Sequence, residues 1–185
     1  MKSSIKFALL SAFTILAFNQ AATAGILLEP YLGYVLAGQI KNGTTANYKG
    51  AVYGARVGYS VLNFAVGAEY RGVNFTDDST PQSTITAGDL GIFGAFTFPV
   101  LLRAYATYFP SPVFKIANSG TTFNYKAGNI VKLGVGFKAL PLVNIGLEYT
   151  IGTYSKYDVG GSDIGLASNL NTASYALVIS VPITL

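Results

Sequence analysis

From residue 25 onward apolar side chains recur at every second position, and nine charges inside those stretches all fall on the opposite parity. Tyr53, Ala55, Val57, Tyr59 and Val61 alternate with Gly54, Arg56, Gly58 and Ser60. Val131, Leu133, Val135 and Phe137 alternate with Lys132, Gly134, Gly136 and Lys138, and Ile145, Leu147, Tyr149 and Ile151 with Gly146, Glu148, Thr150 and Gly152. A period of two puts successive side chains on opposite faces of a strand, so the chain is built of strands with one oily face. The pattern predicts eight strands, over residues 27–37, 49–61, 63–75, 86–98, 101–109, 125–139, 143–155 and 172–185.

The connections alternate in length. Leu62-Asn63, Pro99 to Leu101 and Pro141 to Val143 are short and apolar, whereas 38–48, 76–85, 110–124 and 156–171 are longer and rich in Gly, Ser, Thr, Asn and Asp. Short turns at one end and long polar loops at the other describe an antiparallel meander.

The distribution of charge decides which face meets solvent. Glu29, Arg56, Glu69, Arg71, Asp89, Arg103, Lys132, Lys138 and Glu148 all oppose the oily face, and Lys49, at the loop end of a strand, alone has the other parity. Between those charges the polar face carries mostly Gly, Ala, Ser and Thr. Such a surface is too sparse in charge to keep a barrel soluble, but it suits a crowded interior. The expected fold is therefore all-β, an eight-stranded antiparallel up-and-down transmembrane β-barrel with the oily face outward. Nine to eleven residues suffice for a strand to cross a bilayer. Tyr59, Phe64, Phe98 and Phe137 lie beside the short turns, and Tyr53, Tyr70 and Tyr108 toward the loops, as two aromatic girdles would. The alternative is a soluble lipocalin-like carrier with the oily face inside.

Composition closes off other chemistry. The chain has no Cys and no His, which excludes disulfides, thiol or imidazole catalysis and the usual zinc sites. Lys2 and Lys6 precede the uncharged run Phe7 to Phe18, and Ala22-Thr23-Ala24 supplies small residues at a cleavage site. Residues 1–24 thus read as a secretory signal and 25–185 as one barrel domain. Ten basic and eight acidic side chains remain in that domain, too even a balance to point to nucleic acid.

The run Glu29-Pro30-Tyr31-Leu32-Gly33-Tyr34, the repeated Gly67-Ala68-Glu69-Tyr70 and Gly146-Leu147-Glu148-Tyr149, and the strand-and-loop pattern to Leu185 resemble the small eight-stranded outer-membrane barrels of Gram-negative bacteria, the OmpA transmembrane-domain and OmpX-like proteins. The resemblance covers residues 29–185 and implies placement in the outer membrane among lipopolysaccharide. Such barrels usually end in Phe, where this chain has Leu185.

Within such a barrel the Leu62-Asn63 turn places Arg56 opposite Glu69, and a turn on Leu142 places Glu148 diagonal to Lys138. The expected interior is a charge network of Arg56, Glu69, Arg71, Arg103, Lys132, Lys138 and Glu148 that fills the lumen. A narrow ion or small-solute channel is the alternative. Ser60, Ser174 and Ser180 have no acid or base placed beside them, so no enzyme activity and no cofactor are expected. Asp77-Asp78 and Asp158 with Asp163 lack the spacing of a calcium loop. Lys41, Lys115 and Lys156 are expected contacts to lipopolysaccharide phosphates, and loops 110–124 and 156–171 an expected surface for an external partner.

Overall fold

The computed structural model describes residues 24–78, 83–118, 121–140, 142–159 and 162–185. The expected signal segment, apart from its last residue, lies outside them. The strands are β1 (Gly25–Asn42), β2 (Thr44–Val61), β3 (Phe64–Asp77), β4 (Thr84–Thr97), β5 (Leu102–Phe109), β6 (Phe114–Asn118), β7 (Thr121–Leu140), β8 (Val143–Val159), β9 (Ser162–Ser180) and β10 (Ile183–Thr184). Neighbours pair antiparallel in chain order, and β1 closes the ring against β9. β5 and β6 share one lane, as do β9 and β10, so the ring has eight lanes.

The split between β5 and β6 has a chemical cause. Pro110 and Pro112 bring no N–H to the lane, so the ladder to β4 and β7 lapses there. Val113 N–H is donated instead to Asp89 Oδ1 at 3.2 Å. That bond gives a partner to a donor the interrupted ladder leaves without one.

Outside, the wall is oily. Ile26, Leu32, Val66, Leu90, Ile92, Leu133, Val135, Leu147, Leu177 and Ile179 are all exposed, and the large aromatics Tyr59, Phe64, Phe98 and Phe137 lie at the short-turn end. Tyr53, Tyr70 and Tyr108 are exposed farther along, where the Tyr149 and Tyr175 rings also meet, tilted, with centroids 4.7 Å apart. Inside at the same level lie buried Glu29, Arg56, Glu69, Arg103, Lys132 and Glu148. A soluble carrier would need the reverse, so this belt faces lipid.

The strands run well past the belt. β1, β2, β7 and β9 have 18, 18, 20 and 19 residues, about twice what a bilayer crossing needs. Much of the sequence expected as loops is therefore ladder: 38–48 is strand apart from Gly43, and 110–124 and 156–171 hold β6, the start of β7, the end of β8 and most of the first half of β9. The reason is a reversal of polarity. Beyond the belt Ile40, Tyr48, Phe75, Ile85, Phe114 and Leu170 point inward and are buried, while Gln39, Lys41, Asn47, Lys49 and Lys115 are exposed. The alternation persists with its faces exchanged, which in the sequence looks like its loss. The register shift of β1 between Val35 and Gly38 carries out the exchange in that strand.

A charged layer and an apolar layer as the candidate functional site

Arg56 sits at the centre of the lower lumen with no exposure. Its Nε donates to Glu69 Oε2 at 3.2 Å, Nη1 to Glu29 Oε1 at 3.0 Å and Nη2 to Glu148 Oε1 at 2.8 Å. These partners come from β3, β1 and β8, so one guanidinium ties three lanes across the barrel. Lys132 from β7 bridges Glu69 and Glu148, lying 3.3 Å from the latter. Arg103 Nη1 from β5 lies 2.8 Å from Glu29 Oε2. Three carboxylates thus meet three cations, and the charge in this layer cancels.

Neutral groups complete the layer. Tyr31 Oη donates to Glu69 Oε1 at 2.7 Å, Tyr105 Oη to Glu148 Oε1 at 2.8 Å and Ser180 Oγ to Glu29 Oε1 at 2.8 Å, so Ser180, expected to have no acid beside it, meets one because β1 closes the ring against β9. The Tyr31 and Tyr105 rings lie 4.8 Å and 4.1 Å from the Arg56 guanidinium carbon. Glycine makes this possible: a Cβ on Gly54 would collide with Tyr31, and one on Gly134 with Tyr105. Small residues on the wall therefore admit large rings to the axis.

One level farther from the turns, Arg71 Nε and Nη2 both donate to Asp89 Oδ2, and Phe109 lies 5.0 Å from the guanidinium. Above that pair the lumen is oily. Val35, Val52, Val73, Phe75, Ile85, Phe109, Ile130, Tyr154 and Leu170 belong to one buried cluster. Tyr48 stacks on Phe75 at 4.8 Å and Phe114 on Tyr154 at 5.5 Å.

The sequence-expected residues distribute as follows. Arg56 and Glu69 are direct register partners, and Arg103, Lys132 and Glu148 join them. Arg71 pairs one level away with Asp89. Lys138 stands outside the network, half-buried at the turn end. A register shift between Lys138 and Leu140 pairs Lys138 with Asn144 and Glu148 with Gly134, so the expected diagonal contact does not form. The tyrosines of the charged layer and the apolar cluster beyond it were missed. Inward parity of Tyr31 and Tyr105 was the available signal for the first, and for the second the parity of Phe75, opposite to that of the outward Val66 and Tyr70 on the same strand.

At the far end Lys41, Lys115 and Lys156 are exposed. Lys126, opposite Lys156 on β7, bonds Asp158 at 3.1 Å and Asp163. Hydrogen bonds to Asp163 and Asp158 raise its pKa above the ordinary lysine value. Asp78 accepts from Asn47 N and Nδ2 at 3.0 Å each, and those bonds hold its carboxyl below the usual range. No group of three or more acidic side chains among the described residues is placed to hold a metal ion.

No family model matches the chain, and no curated protein matches it. Solved structures do. Neisserial surface protein A shares 14% identity with it over 86% of this chain and 98% of its own, at a TM-score of 0.56. The Ail attachment invasion locus protein of Yersinia pestis, solved with the heparin analogue sucrose octasulfate, shares 10% over 86% and 99%, at 0.57. The fold is that of the small eight-stranded outer-membrane β-barrels. Outer membrane protein OprG of Pseudomonas aeruginosa, at 10% identity over 90% of this chain and 99% of its own, has a TM-score of 0.50. At these identities the likeness speaks for the fold.

Proposed function

We propose that this protein is a closed, non-catalytic barrel of the bacterial outer membrane that works as a scaffold presenting an extended β-wall to the outside. The observation that carries the reading is the filled lumen. Arg56, Lys132, Glu69 and Glu148 are at most 2% exposed, and a second, apolar plug covers them. An interior of eight strands is just wide enough for side chains to fill. An ion would have to break a matched set of buried pairs and then cross an oily layer. The contact surface is β6, the start of β7 and the β8–β9 hairpin, with Lys41, Lys115 and Lys156 toward lipopolysaccharide phosphates. The tyrosine girdle beneath them supports that depth in the membrane.

Single-channel current through the refolded protein in a planar bilayer tests the closed lumen, with unheated gel mobility confirming the fold. Silence is the expected result for both the parent and Glu69→Gln. Discrete steps altered by Glu69→Gln would replace this reading with a gated narrow channel. For the surface, Lys41→Gln, Lys115→Gln and Lys156→Gln together should lower the lipopolysaccharide that co-purifies. Unchanged retention would remove that contact.

A further inference from the structure

The turns at the two ends of the barrel obey different rules. At the outer end the β1–β2 hairpin turns through Gly43, whose φ is 75°. Glycine reaches that left-handed conformation without a steric cost, which is why tight hairpins take it there. At the other end the same conformation falls twice on leucine. Leu62, between β2 and β3, has φ 54°, and Leu101, between β4 and β5, has φ 64°. A Cβ in that region crowds the following carbonyl, so each turn carries a cost that Gly or Asn would reduce.

These tips are also oily and uncovered. Leu62 is 67% exposed, Val100 50%, Leu140 62% and Leu142 58%. Within the turns Leu62-Asn63, Phe98 to Leu101 and Leu140 to Leu142, Asn63 has the only polar side chain. The outward faces of the strands lead to the tips without a charge. Val66, Phe64 and Val61 run down to Leu62, Ile92 and Phe98 to Val100, and Leu133, Val135 and Phe137 to Leu140, all of them exposed. The backbone of the turns is short of free polar groups as well. Pro99 and Pro141 bring no N–H. Asn63 O accepts from Thr97 N at 2.8 Å, Leu102 O from Phe98 N at 2.7 Å and Leu101 O from Lys138 N at 2.8 Å.

We infer that this rim of the barrel is a lipid-binding surface. The leucine and valine side chains of the three turns insert among the acyl chains of the adjoining leaflet, with the turn backbone at the headgroup boundary. The inference rests on the belt facing lipid and carries that contact past Phe64, Phe98 and Phe137 to the tips. Acyl chains are the occupant because the apolar surface is continuous with the belt. Burial of the four side chains offsets the strain at Leu62 and Leu101, and the bonded carbonyls suit a medium with little water. In water the same turns would gain nothing from a leucine held in a left-handed backbone, and Gly43 shows the chemistry this chain uses there.

The chain has no Cys, so one introduced thiol carries one spin label. Leu62→Cys, Val100→Cys and Leu142→Cys are labelled in the refolded mature barrel in phosphatidylcholine vesicles, gel mobility confirming the fold. Leu147→Cys in the belt and Thr45→Cys at the outer end are the references. Oxygen, which concentrates in hydrocarbon, should relax the three turn labels more than a water-soluble nickel chelate does, as at Leu147, with the reverse at Thr45. Leu62→Asn adds a readout by sign. It relieves the strained backbone, so in water it would raise the urea midpoint of the barrel, whereas among acyl chains it should lower it. Turn labels that match Thr45, or a raised midpoint in Leu62→Asn, overturn the inference and leave the tips to the apolar surface of a periplasmic protein. A water-like label at Leu147 would remove the belt itself, and the inference with it.

Discussion

The two halves of this lumen do the same mechanical job with opposite chemistry. At the level of the lipid belt the interior is ionic: Arg56 and Lys132 hold Glu29, Glu69 and Glu148, and the oily residues face out. Beyond the belt the interior is a conventional apolar core around Phe75, Ile85 and Phe109, and the lysines face out. What differs is the solvent outside the wall. Lipid claims the apolar face of each strand, so only the polar face is left to fill the lumen. Water claims the polar face, so the apolar one turns inward. The barrel is a membrane protein for half its height and a water-soluble one for the rest.

The largest expected effect comes from the ionic half. Arg56→Met leaves three carboxylates facing each other with Lys132 and Arg103 as their remaining cations. It should cost about 4 kcal/mol, the cost of breaking a buried ion pair, measured by urea unfolding in detergent and followed by the gel shift. A loss below about 1 kcal/mol would mean that the lower lumen is wet and that the network is not a plug.

The apolar half should respond to volume. Phe75→Ala is expected to cost about 3 kcal/mol through its cavity and the lost stack on Tyr48, with little dependence on salt. If it proves neutral, the upper wall is not a packed core. Then comes the exterior. Leu147→Lys, within the lipid belt, should cost about 2 kcal/mol in vesicles. Thr45→Lys beyond the belt should cost nearly nothing. Equal effects would erase the boundary between the halves.

A smaller effect, of opposite sign, lies on that boundary. Ala127 adopts φ 57°, a left-handed conformation, between Lys126, which bonds outer-end aspartates, and the inward-facing run that begins with Gly128 and Ile130. Ala127→Gly relieves the strain of a Cβ there but loosens the unfolded chain, for a net gain of about 0.5 kcal/mol. A loss instead would show that the turn of the strand is not strained.

Much of the fold was legible in the residues themselves. Strict alternation and the sorting of charge by parity specify strands, an oily exterior and a polar lumen, because a strand's two faces are decided locally by position along the chain. The register partnership of Arg56 and Glu69 was legible too, since a two-residue turn leaves no freedom in how the strands pair. Three things needed the closed barrel. The meeting of Arg56 with Glu148 on β8 and Tyr105 on β5 is a contact across the ring, and no hairpin rule relates those positions. The place of Lys138 turned on a one-residue slip near Leu140, which shifts every partner along the strand. The inward core of the outer half is hidden by the same alternation that reveals the belt: parity tells which residues share a face, but only the tertiary structure tells whether that face meets lipid, water or the opposite wall.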